Sequence, residues 1–199
     1  SQRISIRART QLTPLKVLAV DLDNTLWGGI VGEDGPESLK IGGIDQIGEL
    51  HWDIQLTLKR AKKKGFILGI LSKNNLKEVQ SAFETLEMPL TLKDFTFIYC
   101  GWEEKSKNIL KAAEQLNLSL NSFAFVDDSS LENEKMKMAY PEVLLLKQPD
   151  DKFMWTEIIN YACHKSDAMT PEDLLRSKHY SLEQERKELL KTNNVSLGS

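Results

Sequence analysis

Two aspartates, Asp21 and Asp23, close the apolar run Val17-Leu18-Ala19-Val20. A short apolar run that ends in acids reads as a buried strand delivering carboxylates to a sheet edge. Residues two apart on an extended chain point the same way, so both can face one site. Neighbouring carboxylates repel unless a cation lies between them or one keeps its proton. The chemistry this favours is that of Mg2+ and phosphate. One carboxylate attacks phosphorus to give an aspartyl phosphate, while its neighbour trades protons with the leaving group and water.

The elements that must hold these groups follow from the surrounding pattern. Residues 16–20 read as a first strand and 66–71 as a second. Residues 46–64 place Leu50, Ile54, Leu58 and Ala61 at helical spacing and close on Lys62-Lys63-Lys64-Gly65. Further strands at 95–99, 123–126 and 143–146 alternate with helices at 75–86, 105–116 and 131–139. This alternation predicts an α/β fold, a Rossmann-like three-layer α/β/α domain on a parallel sheet with right-handed crossovers. Sites in such sheets lie beyond the carboxyl ends of the strands. Asp21/Asp23, Ser72 and Asp127/Asp128 all fall at that edge.

The glycine-dense stretch from Trp27 to Gly35 predicts a tight hairpin or flap and not a helix. No insert is long enough for a large cap domain. Beyond residue 150 two charged helices are expected, at 152–163 and 171–191, with Thr170 as N-cap before Pro171. The expected division is a linker over 1–15, an α/β core over 16–150, a packed helical extension over 151–192 and a fraying polar tail over 193–199.

The chain has 199 residues, of which 41% are apolar, which suits one sizeable core. A net charge of −3 supplies no electrostatic reason to expect nucleic acid or an anionic membrane as partner. No apolar stretch approaches a membrane span, and no signal peptide is visible. Cys100 and Cys163 form neither a disulfide framework nor a zinc pattern, and read as reduced thiols of a cytoplasmic protein. His51, His164 and Cys163 share no ligand spacing and read as packing or surface residues.

Taken together, the polar clusters resemble the motifs of the haloacid dehalogenase-like (HAD) phosphohydrolase superfamily. Asp21-x-Asp23-x-Thr25 is similar to its first motif, Ser72 to the second, Lys105 to the third and Asp127-Asp128 to the fourth. The string Asp21 to Gly29 with Val31 to Gly35, the run Ser72-Lys73-Asn74-Asn75, Trp102-x-x-Lys105-Ser106 and Phe125-Val126-Asp127-Asp128 narrow this to the FkbH-like branch, subfamily IIIC. Thr170-x-Glu172-Asp173 and Tyr180-x-x-Glu183-x-x-Arg186 fit the same branch, so the resemblance runs from Lys16 to Arg186. It implies an enzyme of polyketide biosynthesis. Such an enzyme removes phosphate from D-1,3-bisphosphoglycerate and loads the glyceryl unit, in some relatives a lactyl unit, onto the phosphopantetheine arm of an acyl carrier protein.

The resemblance also implies roles. Asp21 would be the nucleophile and Asp23 the general acid and base, with its backbone carbonyl on Mg2+. Lys105 would neutralise the transferring group, with the neighbouring Lys107 as competitor for that role. Thr25, Ser72, Lys73 and Asn74 would bind the substrate. The metal would be held by Asp21, Asp23 and Asp128, with Asp127 in support; Mg2+ takes one or two carboxylates alongside waters and substrate oxygens.

Two positions depart from the branch. Leu71 stands where these proteins typically have the cysteine suited to hold the acyl group, and Asn133 stands where they usually have arginine. Leucine carries no nucleophile, so the acyl group would pass straight to the carrier thiol, or another cysteine would serve, or transfer has been lost. Cys100 is the nearby thiol and reads either as a buried strand-end residue or as that acyl acceptor. Trp27 and Trp102 read as core aromatics or as pocket walls. A plain phosphohydrolase and an inactive docking domain of a synthase are the alternatives.

Overall fold

The expected alternation of strands and helices closes around a parallel sheet. The computed structural model describes residues 14–166 apart from position 44. Strand β1 (Val17–Val20) is followed by a single helical turn, α1 (Val31–Asp34), and then by the long helix α2 (Gln46–Lys63). Next come β2 (Ile67–Ser72), α3 (Leu76–Thr85), β3 (Phe97–Cys100) and α4 (Lys105–Leu116). The described chain continues with β4 (Phe123–Asp127), α5 (Ser130–Ala139), β5 (Leu144–Lys147) and α6 (Trp155–His164). Helix starts follow from capping: the Asp45 side chain accepts from the Ile47 N–H, Asn75 from Lys77 and Ser129 from Glu132.

The five strands lie in the order β3-β2-β1-β4-β5, every neighbouring pair parallel. Val20 is level with Ile70 on one side and Val126 on the other. That register brings Asp21, Ser72 and Asp127 to one edge. The chain builds outward from β1 to β3 and then crosses back to β4. The order therefore reverses between β1 and β4, where open α/β sheets place their ligands.

Side-chain alternation divides the interior into two layers. Leu18, Val20, Leu68 and Ile70 pack with Ile54 and Leu58 of α2, Val79 of α3, and Trp155 and Ile159 of α6. Val17, Ala19, Leu71 and Phe125 face the other way, against Ile109, Ala112 and Leu116 of α4 and Met136 of α5. Gly69 has its place because a Cβ there would stand 1.9 Å from the Phe97 ring of the neighbouring strand. Among the described residues no helix is long and apolar enough to cross a membrane, and no inserted domain interrupts the sheet connections.

Of the tight hairpin or flap expected without a helix, residues 28–40 form a flap that does contain one helical turn. They form a loop closed by an antiparallel bridge, with Gly28 and Lys40 exchanging both backbone hydrogen bonds at 2.9 and 2.8 Å. Inside it stands α1, a helical turn that the glycine density had argued against. Side chains stabilise it: Asp23 accepts from the Val31 N–H at 3.1 Å, and Asp34 from the Ile30 N–H at 2.8 Å. The stretch expected as one helix from residue 152 opens instead with a 3-10 turn, Lys152–Met154, before α6. Positions 1–13 of the expected linker, Thr170, the helix expected over 171–191 with Glu172, Asp173, Tyr180, Glu183 and Arg186, and the tail over 193–199 lie outside the described residues.

Candidate active site

At the reversal point one ammonium joins two strand-end acids. Lys105, the first residue of α4, lies with Nζ 2.8 Å from Asp21 Oδ1 and 2.6 Å from Asp127 Oδ2. All three side chains are buried. Burial works against the lysine charge, but the facing carboxylates more than offset it and hold its pKa above that of an ordinary lysine. Lys107, the competing cation in the sequence, is exposed.

Asp128 completes the group: oxygens of Asp21, Asp127 and Asp128 lie within 4.8 Å of one another. Three carboxylates thus face a single ammonium, which leaves two negative charges uncompensated when all are ionised. Burial, and then the Asp21 charge, push Asp127 up to about 7 and Asp128 up to about 6. Asp21 is raised as well, by burial, with Lys105 pulling in the opposite direction. A site short of two positive charges and lined by hard oxygens suits a divalent cation of the Mg2+ kind. The two candidate ligands from β4 are not equivalent. Both oxygens of Asp127 are engaged, one by Lys105 and the other by the Ser129 N–H at 2.8 Å. Asp128 accepts from its own backbone N–H and, at a long 3.4 Å, from the Thr25 hydroxyl.

Asp23 lies outside this carboxylate group. The chain turns directly after β1, with Asn24 at φ 53° and its Oδ1 accepting from the Gly29 N–H at 3.0 Å, so the two-residue alternation of a strand no longer applies. The Asp23 carboxylate accepts from Trp27 Nε1 at 2.9 Å, from the Val31 N–H at 3.1 Å and from Asn74 Nδ2 at 2.8 Å. Asn74 also donates to Ser72 Oγ at 3.0 Å, and the Ser72 hydroxyl bonds Asp21. Ser72 and Asn74 therefore couple the two acids. The role expected for Asp23 toward a metal was through its backbone carbonyl, which this turn leaves separate from its carboxylate.

The turn itself is held from α2. His51 Nδ1 meets the Thr25 carbonyl at 2.9 Å, and Gln55 Nε2 donates to the Leu26 carbonyl at 2.8 Å. Burial lowers the His51 pKa, so the ring is neutral and has a packing role. Trp27 is a fully buried core residue whose indole N–H reaches Asp23, so of its two sequence readings the core one holds. The one local hint of the Trp27–Asp23 bond is a donor four residues after an acid inside a turn.

A cleft of about 530 Å³ opens beside this assembly, with Asp23, Lys73, Asn74, Cys100 and Trp102 among its walls. Trp102 is 79% exposed at its mouth. Lys73 is ion-paired with Glu132 at 2.9 Å, a partner the sequence reading did not single out. Burial, then the charges of Asp21 and Asp23, push the Cys100 thiol up to about 12, so it is held protonated. Leu71 is wholly buried in the layer facing α4. Asn133 donates to the carbonyls of Asp127 at 2.9 Å and Ser129 at 2.7 Å, tying α5 to the acid-bearing loop.

No family model and no curated protein matches the chain. Solved structures do. The N-terminal part of protein BF1531 from Bacteroides fragilis, containing a phosphatase domain complexed with Mg, is similar over 81% of this chain at 34% identity and TM-score 0.72. The chain has the HAD core fold. It spans 43% of the length of that Bacteroides structure. The 3-deoxy-D-manno-octulosonate 8-phosphate phosphatase of Moraxella catarrhalis, solved with magnesium, phosphate and KDO, is 18% identical with TM-score 0.53, over 82% of this chain and 95% of that one. A Legionella pneumophila protein assigned to HAD subfamily III A is 15% identical with TM-score 0.50, over 92% of this chain and 96% of that one. The last two speak to the fold alone. HAD phosphatases neighbouring this chain in structure carry Mg, and the Asp21/Asp127/Asp128 group can hold a metal ion.

Proposed function

We propose that the chain is a Mg2+-dependent phosphohydrolase working through an aspartyl phosphate on Asp21. The observation that carries this reading is the buried Asp21–Lys105–Asp127 arrangement with Asp128 beside it. Asp128 is the available carboxylate for the ion, with Asp21, and Asp127 would support it. When bound, the ion would neutralise phosphoryl oxygens and the surplus carboxylate charge.

The chain's own groups account for the rest. A carboxylate oxygen of Asp21 attacks phosphorus, and the bond from phosphorus to the leaving oxygen breaks. Asp23, held by Trp27 and Asn74, gives a proton to that oxygen and later takes one from the water that attacks phosphorus, as the bond from phosphorus to the Asp21 oxygen breaks and phosphate leaves. Lys105 offsets the charge of Asp21 and the transferring group, and the Ser72 and Thr25 hydroxyls offer donors to phosphoryl oxygens.

The finer reading is loading of a glyceryl unit from D-1,3-bisphosphoglycerate onto a carrier protein in a polyketide pathway. The FkbH-like motifs support it, as does the open cleft beside Asp23. With Leu71 lacking a thiol and Cys100 held protonated, the carrier's phosphopantetheine thiol would attack the acyl carbon directly, breaking its bond to the C1 phosphate, which leaves, while the phosphoryl group transferred to Asp21 would be the one on C3. Incubation with Mg2+, 1,3-bisphosphoglycerate and holo carrier protein, followed by intact mass of both proteins, tests both levels. A glyceryl adduct on the carrier supports loading. Phosphate release without an adduct restricts the function to hydrolysis. Loss of phosphate release in Asp21→Asn, or on chelation, is expected at either level; persistence would overturn the reading.

A further inference from the structure

We infer that Asp34, on the far side of the flap, is a positioning residue for Asp23 and acts on it through the turn α1. This deepens the phosphohydrolase reading and rests on it. Two of the donors to the Asp23 carboxylate, Trp27 and Asn74, are side chains, whereas a third is the Val31 N–H at 3.1 Å. A backbone donor is aimed only by the conformation of its own segment. Val31 opens α1, and a turn of four residues does not hold its shape unaided. Its N-cap residue is Ile30, whose side chain has no acceptor for the first N–H groups.

Asp34 supplies what Ile30 lacks. Its Oδ2 accepts from the Ile30 N–H at 2.8 Å, and its own N–H donates to the Ile30 carbonyl at 2.8 Å. The two residues therefore bond each other in both directions and hold the peptides on either side of the Ile30 Cα. The Ile30 carbonyl and the Val31 N–H belong to one planar peptide, so fixing the first aims the second. The carboxylate has room to do this because residue 29 is glycine, with φ at 102°. A Cβ there would stand 2.9 Å from Asp34 Oδ2. The Val31 side chain is buried in the core and anchors the turn from beneath. Ile30, Gly32 and Glu33 line the cleft that contains Asp23. Asp34 is exposed and borders a separate hollow with Pro36 and Ser81. It can reach the chemistry only through the turn. Without it, the Val31 N–H loses its aim and Asp23 is held less firmly, which weakens proton delivery to the leaving oxygen.

The test compares phenyl phosphate with p-nitrophenyl phosphate, esters of nearly the same shape. The nitrophenolate leaves readily without a proton, whereas phenolate depends more on the acid. The ratio kcat/KM reports transfer to Asp21 and is blind to the later hydrolysis of the aspartyl phosphate. With Mg2+, Asp34→Ala should lower kcat/KM about tenfold for phenyl phosphate and less than about twofold for the nitrophenyl ester. Asp34→Asn keeps an acceptor oxygen for the Ile30 N–H and should retain most of the activity on both. Equal losses on the two esters, or no loss on either, would overturn the inference and leave the phosphohydrolase reading intact. Amide hydrogen exchange reads the same link without turnover. The Val31 N–H should exchange about tenfold faster in Asp34→Ala than in the unmodified protein or in Asp34→Asn. Unchanged exchange at Val31 overturns the inference whatever the kinetics, whereas failure of the unmodified protein to cleave either ester counts against the phosphohydrolase reading.

Discussion

Asn74 Nδ2 donates to Asp23 Oδ2 at 2.8 Å, so the loop leaving β2 aims a carboxylate carried by the loop leaving β1. The same amide donates to Ser72, and Trp27 holds the other oxygen of Asp23. An acid that must deliver a proton to a defined atom depends on this kind of fixing.

Asn74→Ala and Trp27→Phe each remove one donor to Asp23. We expect each to lower kcat about tenfold, with KM little changed and the fold intact by circular dichroism. Steady-state phosphate release measures this. Unaltered kcat in both variants would mean that Asp23 is aimed by something else.

Lys105→Met leaves Asp21 and Asp127 facing each other without a cation. Removing one partner of a buried ion pair costs about 3–5 kcal/mol. Urea unfolding without metal should report a loss of that order, partly recovered on adding Mg2+. Lys107→Ala, at an exposed position, should stay within about 0.5 kcal/mol of the parent.

Mg2+ affinity should rise with pH. Asp128 and Asp127 titrate at about 6 and about 7 because burial and the Asp21 charge favour their protonated forms. A cation binds the deprotonated forms, so binding below these values must expel protons. Affinity should therefore climb from pH 5 to about pH 7.5 and then level off. Calorimetry in buffers of different ionisation enthalpy reads the released protons directly. A flat profile across that window would show that neither acid changes its protonation on binding.

Cys100 should resist alkylation. With its pKa at about 12, the thiolate fraction at pH 8 is about a thousandfold below that of an ordinary thiol. Iodoacetamide labelling of a Cys163→Ala background, followed by mass spectrometry from pH 7 to pH 10, should be slow throughout and still rising at the upper end. Rapid labelling at pH 7 would reopen Cys100 as an acyl acceptor.

Much of the framework was legible in the amino-acid order. The helix over Lys105–Leu116 has the expected bounds, and β1, β2 and β4 end where their acids and Ser72 begin. Strand and helix periods are local, and a polar residue that ends a buried strand signals an edge. The helical turn inside the flap was missed because glycine density carries turn propensity only. The turn α1 depends on Asp23 and Asp34 supplying acceptors to its first N–H groups.

Position along the chain was thus enough to bring Asp21, Ser72, Lys105 and Asp127/Asp128 to one edge, because parallel strands separated by helices all deliver their ends to the same side. It did not choose partners. Lys105 meets Asp21 and Asp127 while Lys107 faces solvent; the Asp23 carboxylate bonds Trp27 and Asn74 and stays out of the Asp21/Asp127/Asp128 group; Lys73 finds Glu132, 59 residues away. These pairings depend on strand order and register, which bring distant segments within hydrogen-bond range, and on burial, which makes an unpaired charge too costly to leave alone.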